Sequence, residues 1–162
     1  AELTGFADKV VPGGTYSSIS PSSSGGVCTT SNAYNWGEPF DPSADCGNYF
    51  PMIHVTGNAT LQGGGRGQGV LLVDGDLDIQ GGFTFYGIII TQGTFETQGS
   101  GNRVLGGVMA RNLDFDDQTV TGGSIIQRST CAVDRVVAMN PGLSSLRPLE
   151  NRSWVDLSIL ER

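Results

Sequence analysis

One histidine, three cysteines and an alternating run of aspartates are the residues of this 162-residue chain whose types could do chemistry. His54 could serve as a general base, the role a histidine plays in solenoid acyltransferases. No spacing in the chain assembles a Ser/His/Asp set around it, however, and packing is its expected role. Asp74, Asp76 and Asp78 in DGDLD stand two apart, a spacing that invites a calcium reading. On a strand that spacing puts them along one edge, so a solvated face is expected instead. With Glu96 they are also the carboxylates from which a glycosidase pair would have to come. The glycine-rich GGGRGQG (63–69) lacks the Lys-Ser/Thr ending and the following helix of a phosphate loop. Asn58 and Asn151 begin glycosylation triplets, NAT and NRS, of a kind that often arises by chance. No catalytic residue, cofactor or metal site is expected, and the chain is read as no enzyme.

Cys28 and Cys46 bracket a loop holding Tyr34, Trp36, Phe40 and two prolines. A disulfide closing it would contribute about 3 kcal/mol by the chain-entropy estimate, and a loop rich in turn-formers gains most from such a staple. Three cysteines allow three single pairings, and spacing alone does not choose among them. Cys28 with Cys46 is the expected pair, Cys131 being left as a buried free thiol; a bond from Cys131 to Cys46 is the rival. Metal binding is not expected of these thiols, because CxxC spacing is absent.

The elements that must position these groups announce themselves by period. Glycine stands at every sixth position from Gly57 through Gly63, Gly69, Gly75, Gly81, Gly87 and Gly93 to Gly99. A period so short means a coiled solenoid. Within each hexad the second and fourth places are mostly apolar: Ile53, Val55, Ala59, Leu61, Leu71, Val73, Leu77, Ile79, Phe83, Phe85, Ile89 and Phe95. This is the period-two signature of a strand with one buried face, and glycine takes the corner between strands. Gly65 and Gly67 interrupt the column and mark a thin wall.

Three hexads make one coil of a triangular parallel β-solenoid, all-β in class, expected over residues 52–130. Columns recur on the outside as well. Met52, Val70 and Ile88, with His54, Leu72 and Ile90, form an apolar wall that Val108 and Ala110 would extend past a short insertion. Such a wall needs an occupant, so Met52, Val70, Leu72, Ile88, Ile90 and Val108 are a candidate interface. Gln62, Gln80 and Gln98 form another column, able to hydrogen-bond along the axis as polar ladders do.

Flanking material differs. Residues 1–51 read as an irregular segment, with the Ser/Pro/Gly-rich TYSSISPSSSGG lying on a surface. Leu113, Phe115, Val120, Ile125 and Ile126 are further apolar fillers. From Cys131, CAVDRVVAMNPG places Val133, Val136 and Val137 on one helical face before Asn140-Pro141-Gly142 ends the element. This short helix is expected to cover the apolar wall, and a second helical turn is expected near Asn151–Leu157 with Trp154 docked.

Composition limits partners. A net charge of −7 and a single lysine, Lys9, argue against nucleic acid. No apolar run is long enough to span a membrane.

SNAYNWGEPFDPSADCGNYFPMIHVTG, GQGVLLVDGDLDIQGGFTFYGIIITQG, GGVMARN, STCAVDR and RSWVDL together resemble the C-terminal region of bacterial type IV pilus assembly proteins of the PilX-like, minor-pilin-related group, over about residues 31–157. The resemblance implies an extracytoplasmic, cell-surface or secreted location and a non-enzymatic structural or adhesive part in a pilus or surface assembly, with protein subunits, self included, as partners. The alternatives are a self-assembling bactofilin-like scaffold and a degenerate β-helix enzyme.

Overall fold

Corner glycines and alternating apolar residues produce a chain that winds rather than folds back. A computed structural model describes residues 3–112 and 123–144. A 3-10 turn (Leu3–Phe6) precedes β1 (Lys9–Tyr16), and a small antiparallel pair follows in β2 (Ser23–Ser24) and β3 (Val27–Cys28). The coils are then built by β4 (Met52–Leu61), β5 (Arg66–Val73), β6 (Leu77–Gln80), β7 (Thr84–Gln98), β8 (Arg103–Asn112) and β9 (Ile125–Arg128), and α1 (Thr130–Met139) and α2 (Pro141–Ser144) close the described chain. Every pairing in the main sheet is parallel, in the order β1-β4-β5-β7-β8-β9 with β6 between β4 and β7. The result is a parallel β-solenoid of about 4 turns.

Register shows the coil length directly. Met52 lies opposite Val70 and Val70 opposite Ile88, while Leu77 lies opposite Phe95. Inward columns therefore stack like on like: Ile53, Leu71 and Ile89 in one, Val55 and Val73 in another, and all five are buried. Gly87 shows why the corners are glycine. Its φ is +140°, and a Cβ there would lie 2.0 Å from the carbonyl oxygen of Gly69 in the coil beneath. No side chain fits that approach, whatever the hydrophobic gain around it.

Two expectations shift. The solenoid begins earlier than residue 52, because β1 pairs in parallel with β4, Lys9 opposite Ile53 and Val11 opposite Val55. Only Val11 and Tyr16 of β1 are buried apolar groups, and a bulge at Pro12–Gly14 breaks the hexad, so its periodicity is weak. The insertion after Gly99 adds one residue to its coil, since Gly87 lies opposite Gly106. Val108 and Ala110 consequently stand opposite Ile89 and Thr91 and pack on the inner core, and Val108 is not part of the outer wall. Gly107 and the exposed Met109 take the outer places.

The thin wall at Gly65 and Gly67 is real, and its space is used. A Cβ on Gly67 would lie 2.9 Å from the Trp36 Cβ, and one on Gly65 would lie 2.9 Å from both the Phe83 ring and the Ile19 oxygen. Trp36 donates its indole N–H to the Ala33 oxygen at 2.9 Å and meets Phe83 edge-on, with centroids 6.4 Å apart. The Gln68 N–H donates to the Trp36 oxygen at 2.7 Å and the Arg66 N–H to the Ile19 oxygen at 3.1 Å. Ile19 and Trp36 thus supply one face of the first coil, and the loop between them is an excursion from it.

Leu113, Phe115, Val120, Trp154, the turn expected at 151–157 and the Asn151 triplet lie outside the described residues.

Candidate functional site

Each corner and face places one of the sequence candidates. His54 and Asp74 are brought together, Nε2 to Oδ2 at 2.9 Å, with the Gln92 amide on the other carboxylate oxygen at 3.3 Å. Among the described residues no serine or cysteine completes a nucleophilic set with this pair, and His54 stays on the rim of the apolar wall.

Asp76 and Asp78 lie apart from Asp74 on the next face, joined by Glu96, which stands opposite Asp78 on the neighbouring strand. The Asp76 carboxylate accepts the Thr94 N–H at 2.8 Å, just as the Asn58 amide oxygen accepts the Asp76 N–H at 3.0 Å. These two side chains cap the backbone of successive coils, so Asp76 has a structural task. Asp78 accepts from the Gln80 amide. Among the described residues no three His, Cys, Asp or Glu side chains converge as metal ligands.

The glutamine column exists, but its hydrogen bonds differ from the expected ladder. Gln80 donates to Asp78 rather than to a neighbouring glutamine, because a carboxylate two residues away on the same face is the stronger acceptor. Gln62, Gln80 and Gln98 line a shallow groove of about 460 Å³ with Ser17, Gly63, Gly81 and Gly99.

The staple is formed: Cys28 and Cys46 are bonded, with Cα atoms 4.9 Å apart. Cys131 is free but exposed, contrary to the buried thiol expected. On α1 the inward face belongs to Ala132 and Val136, which turns position 131 to solvent. Asn35, wholly buried beside the disulfide, donates to the Ser22 and Thr29 oxygens and accepts the Gly37 N–H. Sequence reasoning passed over this residue, whose only signal is its place between two cysteines.

Two cations fix the loop to the solenoid. Arg66 forks onto Glu38, whose side chain is 8% exposed, with Nη2 to Oε2 at 2.8 Å, and also lies over the exposed Phe40 ring. Lys9 points inward from β1 and donates to the Thr30 and Asn32 oxygens. Burial pulls the Lys9 ammonium below its ordinary pKa, partly offset by Asp8. Burial likewise pushes the Tyr49 phenol up to about 12, with Asp8 adding to it.

The apolar wall is occupied from within the chain. Met52, Val70 and Leu72 are buried with Phe50 and Val136, and Ile88, Ile90 and Leu143 pack at the margin. α1 starts at Ser129, whose N–H donates to the Gly106 oxygen and whose hydroxyl caps the Ala132 N–H, and it ends at Asn140, which donates to the Phe50 oxygen at 3.1 Å. It therefore runs back across the coils. Ten residues at about 1.5 Å each cover about three strand spacings of about 4.8 Å.

No protein-family model, no curated protein and no solved structure matches the chain. Among the described residues no helix is long and apolar enough to cross a membrane.

Proposed function

We propose that the protein is a non-enzymatic structural or adhesive component of a bacterial pilus or other surface assembly, working outside the cytoplasm. The observation that carries this reading is the formed Cys28–Cys46 bond in a loop that is also clamped by Arg66 and Lys9. Structural disulfides persist in oxidising compartments, and a stapled loop on a rigid rod is a display device rather than a moving lid. The PilX-like resemblance of residues 31–157 points the same way. Surface biotinylation and protease shaving of intact cells, followed by peptide mapping of the native thiols, test it. Cytoplasmic fractionation together with reduced Cys28 and Cys46 would overturn it.

A second reading, end-to-end self-assembly as a scaffold, draws on Ile125 and Ile126 of the terminal strand β9, which are 43% and 41% exposed. The other end disfavours it. There β1 carries Pro12, a bulge and the inward Lys9, all devices that blunt strand edges.

A further inference from the structure

Two of the three lateral faces are occupied: α1 lies on the wall, and the stapled loop lies on the Arg66 face. The third is formed by the ends of β4 and β7 with β6 between them, and its outward side chains remain half-exposed or exposed. At its edge runs the groove of Ser17, Gln62, Gln80 and Gln98. Its floor is Gly63, Gly81 and Gly99, at φ +79°, +66° and +80°, so no Cβ keeps a ligand from the backbone. The amides recur once per coil, at about 4.8 Å. Gln80 spends one donor on Asp78, and the Gln62 and Gln98 side chains make no bond among the described residues.

Charge and composition select the ligand. Asp78 and Glu96 stand two residues before Gln80 and Gln98 on the same face, no cation stands beside them among the described residues, and the chain carries −7 overall. Nucleic acid, acidic glycans and the same face of a second copy are all repelled. No aromatic or aliphatic side chain lines the groove, so it offers no pocket for the side chains of a peptide or the tails of a lipid. A neutral chain of hydroxyl groups suits the amides, which can both donate and accept along its whole length.

We propose that this groove binds a neutral, extended polysaccharide strand laid along the solenoid axis, about one sugar per coil. The inference rests on the adhesive reading and names its target. Repetition is the mechanism: each coil adds the same weak contact, and the contacts sum because the solenoid holds them in register.

The test uses the whole chain and three neutral probes, cellohexaose, chitohexaose and mannohexaose, titrated by NMR and calorimetry. At least one hexasaccharide binds with a dissociation constant near about 1 mM or tighter, and its disaccharide binds at least about tenfold more weakly. Gln80→Ala weakens binding about three- to tenfold, as loss of one or two hydrogen bonds should. The triple variant Q62A/Q80A/Q98A abolishes it. Gln92→Ala, away from the groove, leaves it unchanged, and circular dichroism shows all variants folded. The proposal is overturned by failure of all three hexasaccharides at about 10 mM, by equal binding of disaccharide and hexasaccharide, or by binding that survives the triple variant. Self-association in the ultracentrifuge that the triple variant removes also overturns it, by making the face a protein interface. A surface-exposed, oxidised protein that ignores all three sugars loses only this inference; a cytoplasmic, reduced one loses the functional reading whatever it binds.

Discussion

Val136 is the residue on which the covering of the apolar wall turns. It is 0% exposed and sits among Phe50, Met52, Val70 and Leu72. Val136→Ala removes two methyl groups, worth about 0.8 kcal/mol each by transfer, and leaves a cavity beneath a helix that can settle only partly; about 2–3 kcal/mol is expected. For a chain of this size that lowers the melting temperature by about 5–10 °C. Val136→Asp behaves differently. A carboxylate buried without a partner costs more than the docking of one short helix supplies, so α1 lifts and the penalty saturates at the docking energy. Met52, Val70 and Leu72 then meet water, and the variant should bind a hydrophobic dye at temperatures where the coils keep their β-sheet dichroism. Ala138→Asp, on the exposed side of the same helix, should cost only about 1 kcal/mol, from lower helix propensity and a carboxylate in the last turn, and should bind no dye. If Val136→Asp melts like Ala138→Asp and binds no dye, α1 does not hold the wall, and the reasoning from the valine stripe fails.

Asn102 is buried inside the insertion corner, accepting the Gly82 and Phe83 N–H groups and donating to the Ile79 and Gln98 oxygens. Asn102→Leu orphans these groups and should cost about 3 kcal/mol or more in chemical denaturation, whereas a loss below about 1 kcal/mol would mean the corner does not depend on it. In the native protein one thiol, Cys131, should react with a thiol reagent, and C28S/C46S should lose about 3 kcal/mol; three reactive thiols would remove the staple. Tyr49 binds its proton more tightly folded than unfolded, so its contribution is complete below pH 10.0 and is lost as pH rises toward about 12. Lys9 opposes it, since its lowered pKa makes the folded state gain stability as pH climbs toward 10.5. An ultraviolet phenolate titration should therefore show a late component that Tyr49→Phe reduces, Tyr16 being also raised by burial; a late component unchanged by the substitution would mean that Tyr49 is not shielded.

Local rules were enough for the winding. Glycine at the corners and apolar residues at alternate places between them are decisions made within six residues, so the coil length, the inward columns and the outer wall could all be read along the chain. The helix α1 was legible for the same reason, because a helix exposes its period in sequence, although of the expected stripe Val133, Val136 and Val137 only Val136 is buried, with Ala132 beside it. What depended on counting across an irregularity could not be read. One added residue between Gly87 and Gly106 moves Val108 from the outer wall to the core, and strand alternation makes any such slip reverse the face. Nor does sequence say what fills an absence. Gly65 and Gly67 declare a space, but the occupants, Trp36 from a loop and Phe83 from the next coil, are chosen by three-dimensional proximity. The staple, the exposure of Cys131 and the pairing of β1 with β4 belong to the same class. Period is a property of neighbours along the chain; contacts between segments of unlike pattern are set only when the folded volume must be filled and its buried polar groups paired.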